Sequence, residues 1–208
     1  MPSAETNRGI EGLAVVVLAG GESLRFGSDK LVARLDDRTL LDHALDGIPL
    51  DTPIAVIGPE RPLPRKVVFL REDPPGGGPA AGLIAGLRWA LDLRAMVIAT
   101  LPGDAPAGGR AAVQLVDALA GPDTATKVDA VVAVDADGRE QVLQLAMSPH
   151  IARALIELTG AGAGHGESVR RLLHRLAPPP RRVELPEHLT ADIDSTAQLS
   201  DFRNQNRA

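Results

Sequence analysis

The 208-residue chain contains no cysteine and no tyrosine, one tryptophan and three phenylalanines. Without cysteine there can be no disulfide, no thiolate zinc site and no cysteine nucleophile. With so few aromatics, the core must be built from Ala, Val, Leu and Ile. No segment approaches the ~20 consecutive apolar residues that a membrane helix needs. Residues 1–12 lack a basic patch followed by an apolar run, so no signal peptide is expected. The five histidines show no zinc-binding spacing, and the net charge of −5 offers no electrostatic case for nucleic acid. These exclusions leave a soluble cytoplasmic protein that acts on neither membranes nor nucleic acid. Lysine is scarce too: of 22 basic residues only Lys30, Lys66 and Lys127 are lysines. A lysine in a motif is therefore less easily supplied by chance than an arginine.

Apolar residues make up 44% of the chain and charged ones 24%, ordinary values for a globular protein able to bury a continuous core. Apolar runs predict strands over 14–18, 54–57, 67–70, 96–100, 130–134 and 142–146. Between them, helices are predicted over 39–46, 79–93, 110–120, 149–158 and 167–176. Alternating strands and helices imply a mostly parallel sheet covered on both faces, and the near-continuous apolar strands agree with two-sided burial. The expected fold is an α/β three-layer sandwich, Rossmann-like, in one domain over 13–202. Polar tails flank it at 1–12 and 203–208. Residues 29–37 read as a loop, and the glycine-rich 160–166 as a flexible one. Pro178-Pro179-Pro180 must end the helix before it.

The most informative stretch comes after the first strand: Leu18-Ala19-Gly20-Gly21-Glu22-Ser23-Leu24-Arg25-Phe26-Gly27-Ser28-Asp29-Lys30. Glycines let backbone N–H groups approach phosphate oxygens, while Arg25 and Lys30 supply fixed positive charge. A Walker loop requires Lys directly after the second Gly, and Ser28 stands there instead. A dinucleotide fingerprint requires Gly-x-Gly, and Glu22 breaks it. An ordinary strand-to-helix turn with a surface salt bridge is the plainer alternative. Three further segments stand out. Glu72-Asp73 leads through Gly76-Gly77-Gly78 to a helix with Pro79 in its first turn. Pro102-Gly103-Asp104-Ala105-Pro106 follows a strand, as a helix cap or turn would. Asp192-Ile193-Asp194-Ser195 lies near the C-terminus, where it could equally cap a last helix.

The first stretch resembles the signature of the nucleotidyltransferase superfamily, with seven positions in register. Within that superfamily it looks most like the molybdenum cofactor guanylyltransferases. The resemblance implies that Leu18, Ala19, Gly20 and Gly21 bind nucleotide together with Lys30, and that Arg25 and Lys30 are catalytic. Asp73 corresponds to the family's nucleotide-contacting acid. Asp104 corresponds to its magnesium-binding aspartate, bound to nucleotide and catalytic, with Asp194 as a further metal ligand. Gln141 to Met147 and the Gly166 to Leu173 segment also resemble family segments, the latter lying on the pterin side. One departure concerns the base: Gly58-Pro59-Glu60 stands where these enzymes often place a guanine-contacting asparagine.

The activity implied by the resemblance is transfer of GMP from GTP to the terminal phosphate of molybdenum-bound molybdopterin, with Mg2+ as cofactor and release of diphosphate. Other proteins of molybdenum cofactor biosynthesis would be its partners. Two alternatives stay open at this point. One is a CTP-dependent or other-acceptor relative; the other is a non-catalytic nucleotide-binding protein.

Overall fold

A computed structural model describes residues 10–20, 29–35, 37–121, 128–193 and 198. Its sheet begins with β1 (Leu13–Leu18), whose unbroken β-branched and apolar sequence is buried on both faces. A short hairpin, β2 (Arg34–Leu35) and β3 (Arg38–Thr39), leads into α1 (Leu40–Ala44). Thr39 and Asp42 form a reciprocal capping box that starts this helix. Next come β4 (Ile54–Ile57), β5 (Val68–Leu70), α2 (Gly78–Asp92), β6 (Val97–Pro102) and α3 (Gly108–Ala120). The second half comprises β7 (Ala130–Val134), β8 (Glu140–Met147), α4 (Pro149–Thr159), α5 (Val169–His174), β9 (Arg181–Glu184) and α6 (Glu187–Thr190).

The seven-stranded sheet runs β5-β4-β1-β6-β8-β7-β9. Pairing is parallel throughout except at β8, which opposes both β6 and β7. The sheet is thus the mostly parallel, three-layer α/β/α arrangement expected. Alternation along β1 divides the core into two. Leu13, Val15 and Val17 pack with Leu41, Leu115 and Leu189 of α1, α3 and α6 on one face. Ala14 and Val16 pack with Leu83, Leu87, Leu155 and Leu172 of α2, α4 and α5 on the other. Aliphatic side chains fill both layers, as the shortage of aromatics requires. No helix among the described residues is long and apolar enough to cross a membrane.

Two regions depart from the sequence reading. The 29–37 loop contains a 3-10 turn, Lys30–Val32, and then the β2–β3 hairpin. The 160–166 loop is packed rather than loose. The N–H of Gly166 donates to the Gly77 carbonyl at 3.0 Å, and a Cβ at Gly164 would lie 2.9 Å from the Ala80 carbonyl carbon. It therefore rests on the glycine motif that opens α2. Of the expected N-terminal tail, Ile10 and Gly12 bond to Leu13, Met96 and Val97 through the main chain. The 203–208 tail lies outside the described residues.

Candidate active site

The carboxyl ends of β4, β1 and β6 lie side by side, so the loops after them emerge at one edge, the usual ligand edge of such sheets. Main-chain hydrogen bonds continue across these loops beyond the strands. Ala19 donates to the Ile57 carbonyl at 2.9 Å, Gly58 to Leu70 at 2.8 Å, and Gly103 to Leu18 at 2.9 Å. The chain leaving β1 at Leu18 and Ala19 is thereby bonded to the loops after β4 and β6.

Across this edge Lys30 Nζ lies 2.6 Å from Asp104 Oδ2, with side chains 18% and 21% exposed. The two residues come from separate sequence motifs and meet at the edge where β1 and β6 end. Asp29 sets the position of the lysine. Its Oδ1 accepts from the Leu31 N–H at 3.1 Å, capping the 3-10 turn whose first residue is Lys30. Its Oδ2 accepts from Arg61 Nε at 2.7 Å.

The C-terminal motif also reaches this point. The Ile193 N–H donates to the Asp104 carbonyl at 3.0 Å, so the residues around Asp192 lie against the third motif. Buried Gln144 supports that approach by donating to the Leu189 carbonyl at 3.1 Å. Asp194, Gly21 and Arg25 lie outside the described residues. Asp73 follows β5 and is exposed beside the glycine turn, which Glu72 closes by accepting from the Gly76 N–H at 3.0 Å.

The departure at Gly58 has a steric cause. A Cβ there would lie 2.5 Å from the Ala19 carbonyl oxygen and 3.1 Å from the Gly20 nitrogen. Both are backbone atoms of the glycine loop and have little freedom to move. An asparagine at 58 cannot be accommodated without displacing that loop. Gly58→Ala is accordingly expected to raise KM for the nucleotide about 10-fold and to lower stability by roughly 1–3 kcal/mol, the usual scale of overpacking. Nucleotide titration and thermal unfolding of the variant check both. Gly20 differs: its added Cβ would meet only the Ile57 carbonyl, at an ordinary 3.5 Å.

Sequence reasoning missed a second charged group, because its members are far apart in the chain. Glu140, at the start of β8, is approached by Arg170 at 3.5 Å, His174 at 3.3 Å and Arg182 at 3.8 Å. Since β8 runs opposite to its neighbours, its first residue lies at the same edge as Asp104. Arg61 was also missed; one arginine in a loop carries no signal of its own.

A family model, the MobA-like NTP transferase domain, matches residues 15–180, which include most of β1, the Lys30 turn and Asp104. The chain belongs to the MobA-like NTP transferase family. It is thereby a nucleotidyltransferase. Among similar family proteins, the probable molybdenum cofactor guanylyltransferase of Mycobacterium tuberculosis is 34% identical over 155 residues, covering 72% of this chain and 75% of that protein. The Mycobacterium avium protein of the same description is 30% identical over 193 residues, covering 90% and 93%. In fold, the chain is similar to the molybdopterin-guanine dinucleotide biosynthesis protein A from Archaeoglobus fulgidus. The TM-score is 0.65 at 17% identity, covering 93% of this chain and 98% of the other.

The donor chemistry at Asp104 fits the divalent cation that the family implies. A magnesium ion typically takes one or two carboxylates and completes its octahedron with phosphate oxygens and water. Asp104 supplies one partly exposed carboxylate. Among the described residues no group of three or more acidic, His or Cys side chains gathers into a metal site.

Proposed function

We propose that the chain transfers GMP from GTP to the terminal phosphate of molybdenum-bound molybdopterin and releases diphosphate, in the cytoplasm. The observation that carries this reading is the meeting of Lys30 and Asp104 at 2.6 Å beside the glycine loop. An ammonium and a carboxylate placed together there suit a ligand that combines polyphosphate with a divalent cation.

In the proposed reaction an acceptor phosphate oxygen attacks the α-phosphorus of GTP. A new P–O bond forms while the bond to the bridging oxygen breaks, and diphosphate leaves with the electron pair. A phosphomonoester has its second pKa near ~6, so the nucleophile is mostly ionised at neutral pH and no strong protein base is needed. The obstacle is repulsion between two polyanions, which preorganised positive charge overcomes. The glycine loop from Ala19 through Gly21 cradles the phosphates with its N–H groups. Lys30 and Arg25 place their cations on the triphosphate, and Asp73 contacts the nucleotide. Asp104, with Asp194, would hold Mg2+, which when bound neutralises charge on the phosphates. The Lys30–Asp104 pair keeps both side chains aimed at this space before substrate enters. The basic group of Arg170, His174 and Arg182 stands on the acceptor side, where it would attract the anionic pterin phosphate.

Base choice is the finer part of the reading. Gly20 leaves room beside the backbone for a purine, whereas a methyl there would narrow the space toward a pyrimidine. GTP is expected to be used in preference to CTP when both compete at equal concentration with loaded molybdopterin and magnesium. Gly20→Ala, which the fold tolerates, is expected to erode that preference. Equal or greater use of CTP would refute the guanine assignment and favour the cytidylyltransfer alternative. Absence of diphosphate release from every nucleotide, with loaded acceptor and magnesium, would favour a non-catalytic binding protein.

A further inference from the structure

We propose that Arg61 is a positioning residue for catalysis, acting through Asp29 to hold Lys30 at the phosphates. This inference rests on the nucleotidyltransfer reading, which assigns Lys30 to the triphosphate.

Arg61 leaves β4 by way of the Gly58-Pro59-Glu60 turn, yet its side chain is only 7% exposed. Burial of a guanidinium among loops is costly unless its donors are satisfied. Two bonds fix it. Nε donates to Asp29 Oδ2 at 2.7 Å, and Nη1 donates to the Pro59 carbonyl at 3.1 Å. The second bond ties the guanidinium to its own turn and so sets its direction. The first crosses 32 residues of sequence to the turn that bears Lys30.

Asp29 is then held at both oxygens. One meets Arg61 and the other meets the Leu31 N–H. A carboxylate gripped this way has little rotational freedom, and neither has the residue bonded to it. Without Arg61, Asp29 keeps only the main-chain bond, and the 3-10 turn of three residues has no other side-chain cap. A flexible four-carbon side chain such as lysine is accurate only when its Cα is accurate. Errors of about 1 Å in a catalytic group can cost on the order of 10²-fold in rate.

The arrangement also links base side to phosphate side. Gly58 lies so close to Ala19 that no Cβ fits between them, and Ala19 donates to the Ile57 carbonyl, so the turn carrying Arg61 is referenced directly to the start of the glycine loop. Lys30 is thereby placed relative to the same backbone that would receive the phosphates.

Three measurements on the full chain test this. Arg61→Gln is expected to lower kcat about 10- to 100-fold, with a smaller change in KM, because positioning matters most where charge develops. In a Lys30→Ala background the same substitution is expected to add less than about 2-fold, since residues in one chain of contacts do not act additively. Hydrogen exchange at the Leu31 amide is expected to accelerate in Arg61→Gln and in Asp29→Asn, with the exchange of β1 and β6 unchanged. Arg61→Lys keeps one donor and is expected to recover part of the rate. Full additivity with Lys30→Ala, or unchanged Leu31 exchange, would overturn the proposal. The exchange arm does not need turnover. A wild-type protein that released no diphosphate would end the nucleotidyltransfer reading, while accelerated Leu31 exchange would still establish the Arg61–Asp29 hold on the lysine turn. Accelerated exchange with undiminished kcat would overturn its catalytic role alone.

Discussion

Asp104→Asn is expected to abolish nearly all transfer, lowering turnover by about 10³-fold or more, the scale at which a charge-stabilising group at a phosphoryl centre contributes. Asparagine keeps the shape and removes the charge. The bond from the Ile193 N–H goes to the main-chain carbonyl of residue 104, so the C-terminal segment stays in place. Loss of the partly exposed ion pair with Lys30 is expected to alter stability by about 1 kcal/mol or less. Diphosphate release with magnesium, together with thermal unfolding, separates the two effects. Near-normal turnover would remove Asp104 from the site. So would a nucleotide complex in which magnesium sits elsewhere.

Lys30→Ala is expected to lower turnover by roughly 10²-fold or more, by loss of one preorganised cation at the phosphates. The side chain is four-fifths buried but ends at a carboxylate in the loop, so its removal opens no core cavity. Folding should change little. The substitution has a second consequence that a simple loss of phosphate affinity does not have. With its ammonium partner gone, Asp104 carries an uncompensated charge, and magnesium binding in the absence of nucleotide should tighten. Titration of the purified variant with magnesium alone reads this directly. Weaker cation binding would show that Lys30 does not compete for the Asp104 carboxylate.

The sequence makes the interior of the sheet easy to read and the β9 edge hard. β1, β4 and β7 announce themselves because they are buried on both faces, and their apolar residues are unbroken. β9 carries Arg181, Arg182 and Glu184 and lies at the edge of the sheet, where exposed side chains conceal the pairing with β7. The β2–β3 hairpin has two residues per strand, too few for any period to show. Within the site, Lys30 and Asp104 were legible because each stands in a motif with characteristic neighbours. Arg61 and the group around Glu140 depend on contacts between distant segments, and only the folded chain brings those together. Gly58 shows a third kind of limit. Its identity reads as the loss of a base contact, and the structure supplies a different reason, the closeness of the Ala19 carbonyl.

The hydrogen bond from Ile193 to Asp104 has a consequence in time as well as space. When Asp104 is made, β1, β4, β5 and β6 have all been made already. The segment that bonds its carbonyl, and the Leu189 carbonyl that accepts from Gln144, are made only after α4, α5 and β9. A nascent chain on the ribosome can therefore pair these four strands long before the segment that bonds Asp104 is in place. The Asp104 side of the edge where β1 and β6 end is thus closed by contacts that the earlier strands cannot supply by themselves.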